Sequence, residues 1–432
     1  MKLVDYIGGK YKKTLNVLSY LSIGLGYLLM AGIFYLIYTI LKIYIFRPDI
    51  VTMIKVPPIM PLIPYIDKIV PGLPSFFFTY WIVILAIIAI THEFAHGIFM
   101  KRYGIKIKST GFGFFPFFLP VFLAAFVEQD EESMNKKGIF EQMAVLSAGT
   151  FANLLTAILF LIILLGFFSI AFAPSGVVFD SYTYSSVEIA SITMIGNMIV
   201  NNPSYEEILN LANEEGFVKI GTNDRNYLGS KDFLEQPGMK SFAEKGKIIL
   251  YDDSPAINVK LVGAITEINE VKIDSFEKLR QELSRYSPGE KIKIKTSEDV
   301  FEVVLDENPV GKDLPFLGIG FADQERSGLI GRLVGLFAPK DPHIYYEPNF
   351  NGWSEFVYNL LWWIVLISIS VALINMLPMG IFDGGRFFYL TILSITGKEK
   401  TAKNFFKVST YFFLFLLLVL MVFWGISFVG QG

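Results

Sequence analysis

The stretch Thr91-His92-Glu93-Phe94-Ala95-His96-Gly97 places two imidazoles four residues apart, with a carboxylate directly after the first. On a helix His92 and His96 fall one turn apart on one face, where both can ligate a single metal ion. Glu93 would then stand beside the water that such a metal activates, not on the metal itself. This is the donor pattern of a zinc hydrolase, in which the metal brings the pKa of water towards about 7 and the carboxylate takes the proton. The seven residues close a long apolar run. Ionisable groups there are costly enough that a functional site is the default reading, with a packed structural pair as the alternative. The third histidine, His343, lies in Lys340-Asp341-Pro342-His343 and reads as a solvated loop residue.

The chain around these residues has 432 positions, of which 53% are hydrophobic and 16% aromatic. That is too apolar for an ordinary soluble protein and predicts a multi-span membrane protein with a soluble part. The formal net charge of -3 gives no reason to expect nucleic acid. There is no cysteine, which excludes disulfides, Cys-based zinc sites and a Cys nucleophile. A metal here must be held by His and carboxylate.

The elements that must position the site follow in order. Lys2, Lys10, Lys12 and Lys13 precede an apolar run from about Val17 to Phe46, too long for a signal-peptide core and without a small-residue cleavage site, so a retained transmembrane helix is expected. Residues 47–74 form a loop with seven prolines that resists regular structure. Ser75 to Met100 is the second span. At about 1.5 Å per residue it puts His92 and His96 roughly 25 to 32 Å along, near the far face of the hydrocarbon layer. Lys101, Arg102, Lys106, Lys108, Lys136 and Lys137, with the N-terminal lysines, mark that face as cytoplasmic. Between them Gly111 to Pro120 is too short and too broken by Gly and Pro to span. It is expected as a re-entrant hairpin beside the site, with an interfacial loop as the alternative. Ile139 to Ala173 returns outward as the third span. It carries Asn153, whose bland reading is an interhelix hydrogen bond.

From Pro174 to about Pro348 the composition turns soluble. Leu261 to Asn269, Val271 to Ile273, Ser275 to Leu283, Gly289 to Ile294 and Val300 to Leu305 predict strand, strand, helix, strand, strand, an order that resembles a PDZ domain. A weaker series from Ser186 to Ile220 runs parallel to it, so either a tandem pair or an insertion in a single domain is expected. The loop Phe316-Leu317-Gly318-Ile319-Gly320 reads equally as a PDZ carboxylate loop and as an ordinary strand. Trp353 to about Pro378 is the fourth span, and Tyr411 to Phe428 the last, which leaves the N-terminus inside and the C-terminus outside.

Catalytic zinc takes three protein ligands and leaves one position for water. Asp383, in the broken stretch Asn375-Met376-Leu377-Pro378-Met379-Gly380-Ile381-Phe382-Asp383-Gly384-Gly385, has the expected depth for the third ligand, and Glu141 is the competitor. Ligation also removes the cost of burying an unpaired Asp.

Together, His92-Glu93-Phe94-Ala95-His96 with Asn375-Met376-Leu377-Pro378 and Asp383-Gly384 resembles the site-2 protease family of intramembrane zinc metalloproteases. The resemblance covers about Ser75 to Ala173 and Trp353 onward. It implies one zinc ion per chain on His92, His96 and Asp383, Glu93 as general base, and Asn153 and Asn375 as contacts to the substrate backbone. Thr150 departs from the family's Gly-Pro-x-x-Asn pattern, which weakens the Asn153 assignment only. The expected molecule is a polytopic α-helical membrane protein with about five transmembrane helices, a re-entrant β-hairpin and an inserted α+β PDZ-like region. Its expected divisions are 1–46, an extra first span; 47–74, an outer loop; 75–173 and 353–432, the protease core; 174–325, the PDZ-like region; and 326–352, a linker. The expected location is the cell membrane, with the site near the cytoplasmic side and the PDZ-like region outside. The expected partners are single-span membrane protein substrates and the lipid bilayer. A divalent-metal transporter and an inactive membrane scaffold are the rival classes.

Overall fold

The computed structural model describes residues 2–47, 51, 62–68, 70, 73–114, 122–212, 216–236, 238–309, 311, 314–322 and 339–429. The chain forms two compact units, Met1–Phe168 with Asn351–Gly432, and Ser169–Phe350.

The first unit is helical. Helices α1 (Lys2–Lys10), α2 (Lys12–Phe46) and α3 (Phe78–Tyr103) are followed by strands β1 (Ile107–Phe114) and β2 (Phe122–Gln129), then by α4 (Glu131–Asn135) and α5 (Ile139–Ala171). After the second unit come α8 (Gly352–Asn375), α9 (Asp383–Thr396) and α10 (Glu399–Val429). Among the described residues, α2, α3, α5, α8 and α10 are long and apolar enough to cross a membrane. Lipid tails give no hydrophobic drive between such helices, so close approach and polar contacts must hold them. Both occur on α2: Ser19 Oγ is 2.7 Å from Tyr103 Oη on α3, and Ser147 Oγ on α5 donates to Ser22 Oγ at 3.0 Å. Farther along α2, Gly26 lies against Met376 and Phe387, so the first span touches the elements on either side of Asp383.

β1 and β2 form an antiparallel hairpin, with Thr110 opposite Val127 and Gly111 opposite Phe126. The expected turn, residues 115–121, lies outside the described residues. Several helix boundaries differ from the sequence reading: α2 begins at Lys12 and not Val17, and α3 at Phe78 and not Ser75. The fourth span stops at Asn375 and not Pro378, because a residue preceding proline is pushed out of the helical region. The last helix starts at Glu399 and not Tyr411. The lysines in its first turns stay helical, with Glu399 and Lys403 paired one turn apart at 2.6 Å.

The second unit is mostly β. Its strands are β3 (Phe172–Val177), β4 (Ser181–Tyr182), β5 (Tyr184–Glu188), β6 (Ile192–Ile195), β7 (Met198–Ile199), β8 (Val218–Thr222), β9 (Asn226–Gly229), β10 (Lys247–Asp252), β11 (Ile265–Ile268), β12 (Val271–Lys272), β13 (Lys291–Thr296), β14 (Val300–Val304), β15 (Asp306–Glu307), β16 (Pro315–Phe316), β17 (Ile319–Gly320) and β18 (Ile344–Pro348). One sheet runs β14-β13-β11-β3-β18, with β12 beside β11, and a second runs β5-β10-β9-β8-β6-β7. The strand period of two is plain on β13, where Lys291, Lys293 and Lys295 are exposed and Ile292, Ile294 and Thr296 are buried. Helix α6 (Tyr205–Leu211) starts from a capping box between Ser204 and Glu207, and α7 (Phe276–Leu283) from the Ser275 hydroxyl. All strands of the second sheet lie between β4 and β11 in sequence. That sheet is therefore inserted into the first and does not follow it in tandem. The first sheet closes through its chain ends, with Phe172 opposite Pro348.

Candidate metal centre

Helix α3 carries His92 and His96 on its buried face, both under 10% exposed. Their Nε2 atoms are 3.0 Å apart. Asp383, the first residue of α9, brings Oδ2 to 3.4 Å from His92 Nε2 and 3.3 Å from His96 Nε2. At that distance the two Nε2 atoms can share one proton, or, with neither protonated, hold a cation between them. A tetrahedral zinc with ligand bonds of 2.0–2.1 Å sets its donors about 3.3–3.4 Å apart; the two histidine–aspartate edges, at 3.4 and 3.3 Å, match this, and the histidine–histidine edge, at 3.0 Å, is a few tenths shorter. Glu141, the rival third ligand, is not part of this group.

Asp383 reaches this position through a tight reversal. Pro378 cannot continue α8, and short turns such as Met379 N–H to Leu377 O at 2.7 Å fold the chain back at once. The reversal needs glycine twice: a Cβ on Gly384 would overlap the Met376 carbonyl, and one on Gly385 would overlap that of Met379.

On the other side, α5 lays a single stripe against the two imidazoles. His96 Nδ1 donates to the Val145 carbonyl at 2.7 Å, which leaves the lone pair on Nε2, facing the other donors. One turn on, Gly149 has no side chain, and a Cβ there would fall on both imidazoles. A further turn on, Asn153 is fully buried, with Nδ2 3.0 Å from His92 Nδ1.

Glu93 sits on the same turn of α3. Its Oε2 accepts the Val127 N–H of β2 at 2.7 Å. A cavity of about 710 Å³ reaches His92, Glu93, His96 and Asp383. One part of its wall is apolar, from Leu85, Ile88, Ala89, Ile367 and Val371, and another is polar, from Glu128, Gln129 and Glu131. Asn375 lines this cavity; Asn153 is not among its lining residues. His343 is in the second unit, in a turn as expected but less solvated: its side chain is 23% exposed, with Nδ1 3.3 Å from Asp180 Oδ2.

Two contributors lay beyond sequence reasoning. Val127 acts through its backbone. Arg386, one turn after Asp383, donates from Nη1 to both Glu131 oxygens at 3.1 and 2.9 Å and from Nη2 to Asn135 Oδ1 at 2.8 Å, tying α9 to α4. Its partners are some 250 positions away in the chain, and no local pattern announces them.

Fold and site define a multi-span membrane protein with a His-His-Asp group suited to a metal ion and a carboxylate beside it. The sequence model of peptidase family M50 matches residues 80–233 and 343–420, more than half of the chain, and the chain belongs to that family, which is zinc-dependent in general. It is also 37% identical over 97 residues to an uncharacterized protein of Methanocaldococcus jannaschii. That match spans 22% of this chain and 23% of the relative.

Proposed function

We propose that the chain is an intramembrane zinc metallopeptidase that hydrolyses a peptide bond in or near the transmembrane segment of single-span membrane proteins. The observation that carries this reading is the donor triangle of His92, His96 and Asp383, 3.0 to 3.4 Å on each side, with Glu93 on the same cavity and on a helix apolar enough to span. When bound, zinc supplies Lewis acidity and a lowered pKa for water. Glu93 takes the proton from the water whose oxygen attacks the peptide carbon. It then delivers that proton to the nitrogen as the C–N bond breaks. The Val127 N–H on Oε2 holds the carboxylate in place and leaves Oε1 to work.

A helix hides its carbonyls in its own hydrogen bonds, so the substrate must unwind to be cut. The Val127 N–H points away from β1 and towards Glu93, so the outer edge of β2 borders the cavity; with that one N–H kept by Glu93, the edge supports binding of the substrate as an added strand beside it. Asn375, on the cavity wall, contacts the substrate backbone. The apolar wall between α3 and α8 suits the substrate's membrane segment, and the polar wall near Glu131 suits water and the released end.

In this reading the lysine-rich N-terminus and the hairpin lie on the cytoplasmic side, the hairpin dips into the membrane beside the site, and the β unit is outside. That unit is PDZ-like and restricts access to substrates whose outer domains have already been cut.

The test pairs zinc content with cleavage of a single-span substrate in detergent, for wild type, Glu93→Gln and Asp383→Ala. The reading expects cleavage by wild type alone, zinc retained in Glu93→Gln and zinc lost in Asp383→Ala. Metal binding by every protein with cleavage by none would favour transport or scaffolding.

A further inference from the structure

His96 and His92 sit one turn apart on α3, and α5 offers each of them a polar partner two turns apart, with Gly149 midway. The Val145 carbonyl takes the Nδ1 proton of His96 at 2.7 Å. The corresponding place opposite His92 Nδ1 is held by the Asn153 amide at 3.0 Å. The amide donates there through Nδ2 and leaves Oδ1 buried with no partner among the described residues. A half-turn of the amide pairs Oδ1 with an Nδ1 proton on His92. That is the tautomer whose Nε2 lone pair faces His96 and Asp383, and it gives the unsatisfied oxygen a donor.

We infer that Asn153 is a positioning residue that fixes the tautomer and ring orientation of His92 for zinc, as the Val145 carbonyl does for His96. The inference rests on the metallopeptidase reading above, and it separates Asn153 from Asn375. Asn375 lines the cavity, whereas Asn153 is fully buried behind the imidazole, off the cavity wall. It differs from a substrate contact in what it must change. A substrate contact sets KM; a residue that orients a ligand sets metal affinity.

The experiment titrates zinc into the detergent-solubilised full chain against a chelator of known affinity, and measures kcat and KM at saturating zinc. Wild type, His96→Ala, Asn153→Ala and Asn153→Asp are compared. Asn153→Ala, which lacks the acceptor, should bind zinc 10- to 100-fold more weakly, the usual cost of removing a partner that orients a metal ligand. Asn153→Asp, which keeps an acceptor and loses the donor, should bind within a few-fold of wild type. KM should match wild type in both. Asn153→Ala with undiminished zinc affinity and a raised KM would overturn the inference in favour of a substrate contact. Zinc binding in Asn153→Asp weakened tenfold or more would overturn it independently, even where the alanine variant does not fold. A wild type that holds no more zinc than His96→Ala overturns the metallopeptidase reading itself.

Discussion

Gly149 of α5 stands directly against His96 of α3, so close that a Cβ on it would overlap Nε2 of that imidazole and the ring of His92. The obstruction is ring atoms held in place by hydrogen bonds, not the end of a flexible chain. Gly149→Ala must push α5 and the imidazoles apart. Overpacking of this kind costs about 1–3 kcal/mol. The expected outcome is a lowered thermal midpoint and zinc content well below one per chain, read by elemental analysis of the purified protein.

Glu93 and Val127 give a test that spares the donor triangle. The Val127 N–H goes to Glu93 Oε2, so Val127→Pro removes the contact that steadies the carboxylate and none of the three donor residues. Zinc content should stay at the wild-type level while kcat falls about tenfold or more. Glu93→Gln should abolish the proton transfer outright, a loss of about 10² to 10⁴ in kcat, again with zinc retained. Loss of zinc in Val127→Pro would show that β2 supports the donors and not the base.

Arg386 ties the helix that begins at Asp383 to α4 through Nη1 on Glu131 and Nη2 on Asn135. Glu131 is well exposed, so the pair contributes little to global stability, about 0–1 kcal/mol. Its consequence is local, because α4 directly follows β2. Arg386→Ala should lower kcat several-fold while shifting the thermal midpoint by no more than a few degrees. Arg386→Lys should fail to restore the rate, since one ammonium nitrogen cannot hold Glu131 and Asn135 together as Nη1 and Nη2 do. Full activity in the lysine variant would reduce Arg386 to a surface charge.

Chelation tests the metal without mutation. A ligand that binds only the folded state stabilises it by about 2.7 kcal/mol at a hundredfold excess over its dissociation constant. Treatment with a strong chelator should therefore lower the thermal midpoint and stop cleavage. Stoichiometric zinc should restore both. In Asp383→Ala, which leaves two histidine donors, chelator should produce a much smaller shift.

The amino-acid sequence by itself determined which residue types could form a metal centre. His92 and His96 at helical spacing with Glu93 between them could be read directly, because helical period is a local property of the chain; Asp383 was the expected third donor with Glu141 as its competitor, and the structure groups Asp383 with the histidines. The strand-strand-helix-strand-strand order from 261 to 305 was equally legible, from period-two alternation such as that on β13. Helix α9 was not, since Asp383 to Thr396 is shorter than a span and follows a proline-glycine break that hid its start. Only the tertiary structure decided which backbone and side-chain groups meet the donors. Val127 reaches Glu93, Arg386 reaches Glu131, and Asn153 lies behind His92. It also decided that the second sheet is nested between β4 and β11, with β3 closed by β18. Each of these is a pairing between residues far apart in the chain, set by which surfaces fit once the helices and strands exist, and no periodicity within one element carries that information.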